Sequence, residues 1–182
     1  GLGLDGAVSC WGSLSVEPEG SYKALAAGMS EHVCAIGTDD DLVRCWGQPG
    51  AAVLDAPNVP LMAVSSGNGF SCGIQIDDGH VICWGQDRFD SLSAPAAVAF
   101  STIDSGRYNT CGIRAGDDQT LQCWGLNIDG ILNVPDGQYR DVSVGDGTAC
   151  AIKVDGTLRC WGRGVAGDNR QFEQAVPPEG TF

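Results

Sequence analysis

An all-β fold, a β-propeller of about five antiparallel blades, follows from three observations on the 182-residue sequence. The triplet Cys-Trp-Gly recurs five times, beginning at Cys10, Cys45, Cys83, Cys123 and Cys160, and takes in all five tryptophans. A second cysteine precedes four of the triplets by 10–12 residues, with a turn signal between the two. No window carries a sustained helical period with caps. Self-similarity at intervals of 35, 38, 40 and 37 residues is the mark of a repeat architecture.

The units end near residues 12, 47, 85, 125 and 162, so residues 1–182 read as a single propeller domain. Four units open on a short strand ending in glycine: Ala24–Gly28, Ala63–Gly67, Thr102–Gly106 and Asp141–Gly145. A hairpin follows, clearest where Cys150-Ala151-Ile152-Lys153-Val154 runs out, Asp155-Gly156 turns and Thr157-Leu158-Arg159-Cys160-Trp161 returns. A variable loop then closes on a proline, as in Pro135-Asp136-Gly137-Gln138-Tyr139. Each unit offers three strands and room for a fourth. So small a sheet cannot bury both faces alone, so successive units must stack, and radial stacking gives a propeller. A linear β-solenoid is the competing geometry, but its strands run parallel and the tight hairpin turns here require antiparallel neighbours. The ring is read as five blades, as an incomplete ring, or as part of a seven-bladed one.

The 10–12 residue spacing across a tight turn places both cysteines of a pair opposite each other on one sheet face. Four disulfides are predicted, Cys34–Cys45, Cys72–Cys83, Cys111–Cys123 and Cys150–Cys160, each contributing about 2.5–3 kcal/mol by the chain-entropy argument. They point to an oxidising compartment, extracellular or at the cell surface. Zinc is the rival, but its Cys-x2–4-Cys knuckles are absent and the only histidines are His32 and His80. Cys10 is left unpaired or intermolecular, because the place of its partner falls immediately before Gly1. With one inner strand and one cysteine missing from a five-unit set, the chain is expected to be a segment of a longer polypeptide or to be completed by a neighbouring molecule.

The unit Gly-x-x-x-x-Cys-Ala-Ile-x-x-Asp-Gly-x-x-x-Cys-Trp-Gly resembles the regulator of chromosome condensation repeat family. The resemblance covers essentially the whole chain and implies blades of four antiparallel strands. Its paired cysteines look like the secreted, disulfide-containing branch, which includes plant receptor-kinase ectodomains. The nuclear branch's nucleotide-exchange role is discounted, because the cysteines, the acidity and the absence of a Gly-Gln-Leu-Gly segment all depart from it.

Charge narrows the partners. Ten basic against 23 acidic residues give a net charge of −13, which phosphate backbones and anionic membranes repel. No stretch is long and apolar enough to span a bilayer as a helix. The partners expected are other proteins, including neighbouring copies or domains of the same polypeptide, with no nucleic acid and no membrane insertion.

Chemistry is sparse. His32 aligns with Phe70, Asn109 and Thr148, and so varied a position reads as an exposed loop site. The aspartates Asp39–Asp41, Asp77–Asp78 and Asp117–Asp118 fall at hairpin tips, where Asp serves turns, and tips spread around a ring would not converge on calcium. The five tryptophans read as core between blades. No catalytic residue, metal site or cofactor is assigned. The interface candidates are Phe70, Arg107, Tyr108 and Asn109 beside the first cysteines, and Arg88, Phe89, Arg163, Asn169 and Arg170 in the loops after the triplets. The function expected is a non-enzymatic extracellular protein-interaction or structural module, a building block of a larger surface protein or fibre. The alternatives are a secreted enzyme inhibitor or receptor ectodomain using one propeller face, and a carbohydrate-binding propeller.

Overall fold

The computed structural model describes residues 1–11, 18–30, 32–48, 51–163 and 180–181. Twelve strands form four three-stranded antiparallel sheets, each in chain order. The first holds β1 (Tyr22–Ala27), β2 (His32–Gly37) and β3 (Val43–Gly47); the second β4 (Leu61–Ser66), β5 (Phe70–Gln75) and β6 (Val81–Gly85). The third holds β7 (Phe100–Ser105), β8 (Asn109–Arg114) and β9 (Leu121–Gly125); the fourth β10 (Tyr139–Val144), β11 (Thr148–Lys153) and β12 (Leu158–Gly162). The opening strands β1, β4, β7 and β10 lie side by side, as strands do around a propeller axis.

Alternation and turn chemistry explain each sheet. Every opening strand starts with a large buried residue, Tyr22, Leu61, Phe100 or Tyr139, followed by a bulge that shifts the register by one. The bulge turns Lys23, Met62, Ser101 and Arg140 outward and adds local twist. At the hairpin tips the carboxylates of Asp40, Asp78 and Asp155 accept the N–H two residues on, at 3.1, 2.9 and 2.8 Å. Gly79 and Gly156 supply the positive φ of the turn, at 73° and 87°. Residues 2–8 repeat the device. Leu2 bridges Val8, Ala7 N–H donates to Asp5 Oδ1 at 3.1 Å, and Gly6 has a φ of 80°. The first Cys-Trp-Gly triplet therefore follows the same kind of turn as those that precede Cys45, Cys83 and Cys160.

Blades of four strands were implied by the resemblance; the described sheets have three. The stretch after the second, third and fourth triplets folds, in its described residues, as a loop closed by Pro57, Pro95 or Pro135, which have no N–H to give to a ladder. The end of that loop pairs with the preceding hairpin tip through single bridges, Leu42–Pro60 and His80–Ala99.

The cysteines of each pair are directly opposed in register, with Cα atoms 4.0–4.1 Å apart, and all four disulfides form as spaced. Cys10 is a free, partly buried thiol. The disulfide of one blade packs against the tryptophan of the next. Cys34 and Cys45 share a core with Trp84, Cys72 and Cys83 with Trp124, and Cys111 and Cys123 with Trp161. Cys10 stands in the same relation to Trp46. The tryptophans thus act as core between blades with one exception. Trp11 is 79% exposed, because none of the described residues offers it a preceding disulfide face.

Glycine ends the opening strands because blades meet there. A Cβ on Gly28, Gly67 or Gly106 would lie 2.7, 2.6 or 2.2 Å from the carbonyl oxygen of the equivalent glycine in the next blade. It would also strike His32, Phe70 or Asn109 respectively.

Candidate protein-interaction face

Two rims of the array differ in what they display. One carries the hairpin tips with their aspartates. The other carries the turns from the first to the second strand of each blade together with the variable loops, which are anchored to those turns by Gln86 N–H to Gly69 O (2.8 Å), Leu126 N–H to Tyr108 O (2.9 Å) and Arg163 N–H to Gly147 O (2.8 Å).

On this turn face the equivalent positions Met29-Ser30, Asn68, Arg107-Tyr108 and Asp146 form an arc across four blades. Backbone bonds from Met29 N–H to Gly67 O (3.1 Å) and from Asn68 N–H to Arg107 O (3.1 Å) fix its spacing. Ser30 Oγ bonds the Asn68 amide oxygen, Asn68 Nδ2 donates to Tyr108 Oη at 2.9 Å, and Arg107 pairs with Asp146 at 3.4 Å. The Arg107 guanidinium also lies 5.2 Å from the centre of the Tyr108 ring. Phe89 leans in from the loop after β6 and meets Tyr108 edge-on, with ring centroids 5.3 Å apart. At the far end Arg163 binds Asp129 at 2.7 Å. Partial burial opposes ionisation of Tyr108, but hydrogen bonds from Arg107 and Arg88, the charge of Arg107 and the Asn68 amide outweigh it and hold the phenol below its ordinary value.

The face therefore unites Arg88, Phe89, Arg107 and Tyr108 of the sequence candidates, with Arg163 at its edge. Phe70 and Asn109 are corrections: they are 0% and 2% exposed, because each fills the space left by the glycine of its own turn. His32 is a third correction, at 1% exposed for the same reason. Variation at this position reflects different plugs for one hole. Asn169 and Arg170 lie outside the described residues. Met29, Ser30, Asn68 and Asp146 were missed, although counting from the strand-ending glycine puts all four in register with Arg107 and Tyr108.

A Ser–His contact exists, between Ser71 Oγ and His32 Nε2 at 3.2 Å, but both groups are sealed in the core, where burial pulls the His32 pKa down. Among the described residues no three His, Cys, Asp or Glu side chains are grouped as a metal ion would need, and no helix is long and apolar enough to cross a membrane.

The fold and this face define a β-propeller of disulfide-stapled repeats. Comparison with known proteins shows what the chain is similar to. Residues 139–169 match the family model of the Regulator of chromosome condensation (RCC1) repeat. The chain is similar to the ectodomain of the Physcomitrella patens receptor kinase CR4, at 29% identity and a TM-score of 0.70, over 82% of this chain and 43% of that one. It is also similar to the CRINKLY WD40 ectodomain of the Arabidopsis thaliana receptor kinase ACR4, at 25% identity and a TM-score of 0.77, over 94% of this chain and 60% of that one. Yeast RCC1 (Prp20), solved bound to Kap60, shares the fold at 15% identity and a TM-score of 0.66, over 82% of this chain and 45% of that one. The chain spans about half the length of these structures. It resembles the RCC1 repeat family, and its disulfides fit the secreted branch.

Proposed function

We propose that the chain is a non-enzymatic, extracellular protein-interaction module that engages its partner through the turn face. The observation that carries this reading is the hydrogen-bonded arc from Ser30 through Asn68 to Tyr108 and Arg107, with Phe89 set edge-on against Tyr108 and 56% exposed. Aromatic and arginine side chains held in place on a rigid scaffold are the composition of interface anchors. Similarity to two receptor-kinase ectodomains and four disulfides support an extracellular setting. Yeast RCC1, solved in complex with Kap60, is a fold relative that binds a protein.

The test is chemical cross-linking of the oxidised protein to the surface of cells that produce it. Three forms are compared: the wild type, a Phe89→Asp/Arg107→Glu double variant and a Lys153→Glu variant on the opposite rim. A discrete adduct kept by the wild type and Lys153→Glu but lost from the double variant supports the reading. An adduct indifferent to the double variant, or lost only from Lys153→Glu, rejects it.

A further inference from the structure

We propose that Asn68, Arg88 and Arg107 bind a carboxylate of a protein partner, with Phe89 as the adjoining apolar anchor, so that the turn face selects an acidic segment carrying an apolar neighbour. This deepens the reading of the face given above and rests on it.

Three observations converge. The first is donor geometry. Asn68 Nδ2 donates to the surface oxygen of Tyr108 at 2.9 Å, the Arg107 guanidinium lies 5.2 Å from the centre of that ring, and Arg88 is close enough to help hold the phenol below its ordinary value. A cluster of donors around a single oxygen is what a carboxylate requires, and bonds from guanidinium to an ionised acceptor are about twice as strong as neutral ones.

The second is local charge. Arg88 is exposed and enters no ion pair among the described residues. Arg107 has only the exposed 3.4 Å pair with Asp146, the kind of contact a competing carboxylate displaces at little cost. On the hairpin rim Lys23, Arg44 and Arg114 are each matched to Asp41, Asp40 and Asp118, and further aspartates are left over. The turn face also carries Asp87, Asp90, Asp129 and Asp146, so its pull on an acidic ligand is local, resting on the Arg88 and Arg107 guanidiniums beside Tyr108 within a chain of net charge −13. A polyanion such as nucleic acid feels the whole negative field and is disfavoured, whereas a single desolvated carboxylate answers to its immediate donors.

The third is backbone strain. Phe89 and Asp90 sit at φ 59° and 60°, in the left-handed region that bulky side chains avoid. Phe89 is held there with more than half of its surface exposed, and unfavourable conformations of this kind cluster at ligand contacts.

The experiment is selection from a displayed random heptapeptide library on the immobilised, oxidised chain. Selected peptides are then synthesised and titrated against the wild type, Arg88→Glu, Arg88→Lys, Phe89→Ala and Lys153→Glu. The expected peptides are enriched in Asp or Glu beside an aromatic or aliphatic residue. Their affinity falls by about tenfold or more in Arg88→Glu, by less in Arg88→Lys, by several-fold in Phe89→Ala and not in Lys153→Glu. Basic peptides, which the net charge alone would favour, overturn the proposal. Peptides sensitive to Phe89→Ala but indifferent to Arg88→Glu overturn the carboxylate and leave the turn-face reading standing. Peptides indifferent to every variant, or no peptides at all, sink both. Self-association of the wild type that Arg88→Glu abolishes would place the carboxylate on a second copy and overturn a separate partner.

Discussion

The loops 86–95 and 126–135 follow the second and third blades, have equal length and fold alike, yet spend their residues differently. In each, a side-chain oxygen near the start, Asp87 or Asn127, accepts the N–H five residues on, from Leu92 at 3.3 Å or Leu132 at 3.1 Å. In each, two successive residues take positive φ: Phe89 and Asp90 at 59° and 60°, Asp129 and Gly130 at 54° and 78°. The next residue is then driven inward beneath the following blade's tryptophan. In loop 126–135 that residue is Ile131, fully buried in the core of Trp161, whose indole N–H donates to Ile131 O at 2.7 Å. The loop after the first blade does the same with Val53 and Trp84, at 3.0 Å. In loop 86–95 the plug is Ser91, whose hydroxyl turns back to Arg88 N–H and Gln86 O, and the Trp124 indole N–H finds no acceptor among the described residues. The one large apolar residue of its turn, Phe89, faces solvent beside Tyr108. One loop serves blade packing; the other gives up part of that packing and presents an aromatic on the turn face.

The comparison predicts its largest effect at the plugs. Ile131→Ala should cost about 2–5 kcal/mol, the range for emptying a fully buried aliphatic site. Ser91→Ala should cost about 1 kcal/mol, the worth of its hydroxyl bonds. Urea denaturation of the oxidised protein measures both. Equal losses would mean that the two loops carry equal packing weight, and the contrast would fail.

A smaller effect is expected at the tryptophans. Trp161→Phe removes a buried donor and strands the Ile131 carbonyl, whereas Trp124→Phe removes an N–H that has no partner among the described residues. Ring area is lost in both, so the difference between the two variants isolates the hydrogen bond. Trp161→Phe should be the more destabilising by about 1 kcal/mol. A greater loss at Trp124 would show that its N–H is satisfied after all.

Much of this was legible in the sequence. Cys-Trp-Gly periodicity located the blades, cysteine spacing gave the disulfide register, and Asp-Gly marked the turns at Asp5-Gly6, Asp78-Gly79 and Asp155-Gly156, because each is a local rule that repeats. Burial of one element by another was not legible. The position of His32, Phe70 and Asn109 varies as a surface site does, yet it is a plug whose size is set by a glycine three or four residues earlier. Trp11 has the sequence context of Trp161, but none of the described residues gives it a neighbouring face. Half of the turn-face arc is made of residues with no distinctive chemistry, Ser30 and Asn68 among them, and only the stacking of blades brings them into line with Tyr108.

The backbone contrast between the loops predicts a gain in stability. Asp90→Gly gives loop 86–95 the glycine that stands at Gly130 in the other, and should stabilise by about 0.5–1 kcal/mol by relieving left-handed strain. Phe89→Gly relieves the same kind of strain at the first position but removes the ring that leans on Tyr108. Its stability should therefore be unchanged or slightly higher while peptide binding falls. A clear loss of stability in Phe89→Gly would make the ring a packing element and remove it from the recognition face.

The smallest effect expected lies at the inner edge of the same two interfaces, where one carboxylate serves both. Asp104 on β7 accepts from Ser65 Oγ in the preceding blade at 3.1 Å and from Val144 N–H in the following one at 2.6 Å. Burial raises its pKa, and the bonds from Val144 and Ser65 only partly offset that rise. A carboxyl whose pKa is higher folded than unfolded adds stability below its unfolded value, about pH 4, and that contribution is lost as pH rises through the folded value. Asp104→Asn keeps an oxygen for Val144 N–H and offers an N–H to Ser65 Oγ, so it should be nearly neutral near pH 4. Above that, the variant should gain relative to the wild type as pH climbs through the raised value, and the difference should level off beyond it. Urea midpoints of the two proteins at half-unit steps from pH 3.5 to 7 measure this. A difference that shrinks with rising pH would mean that the hydrogen bonds to the ionised form dominate, and that the carboxylate strengthens the inner edge of both interfaces as a charge.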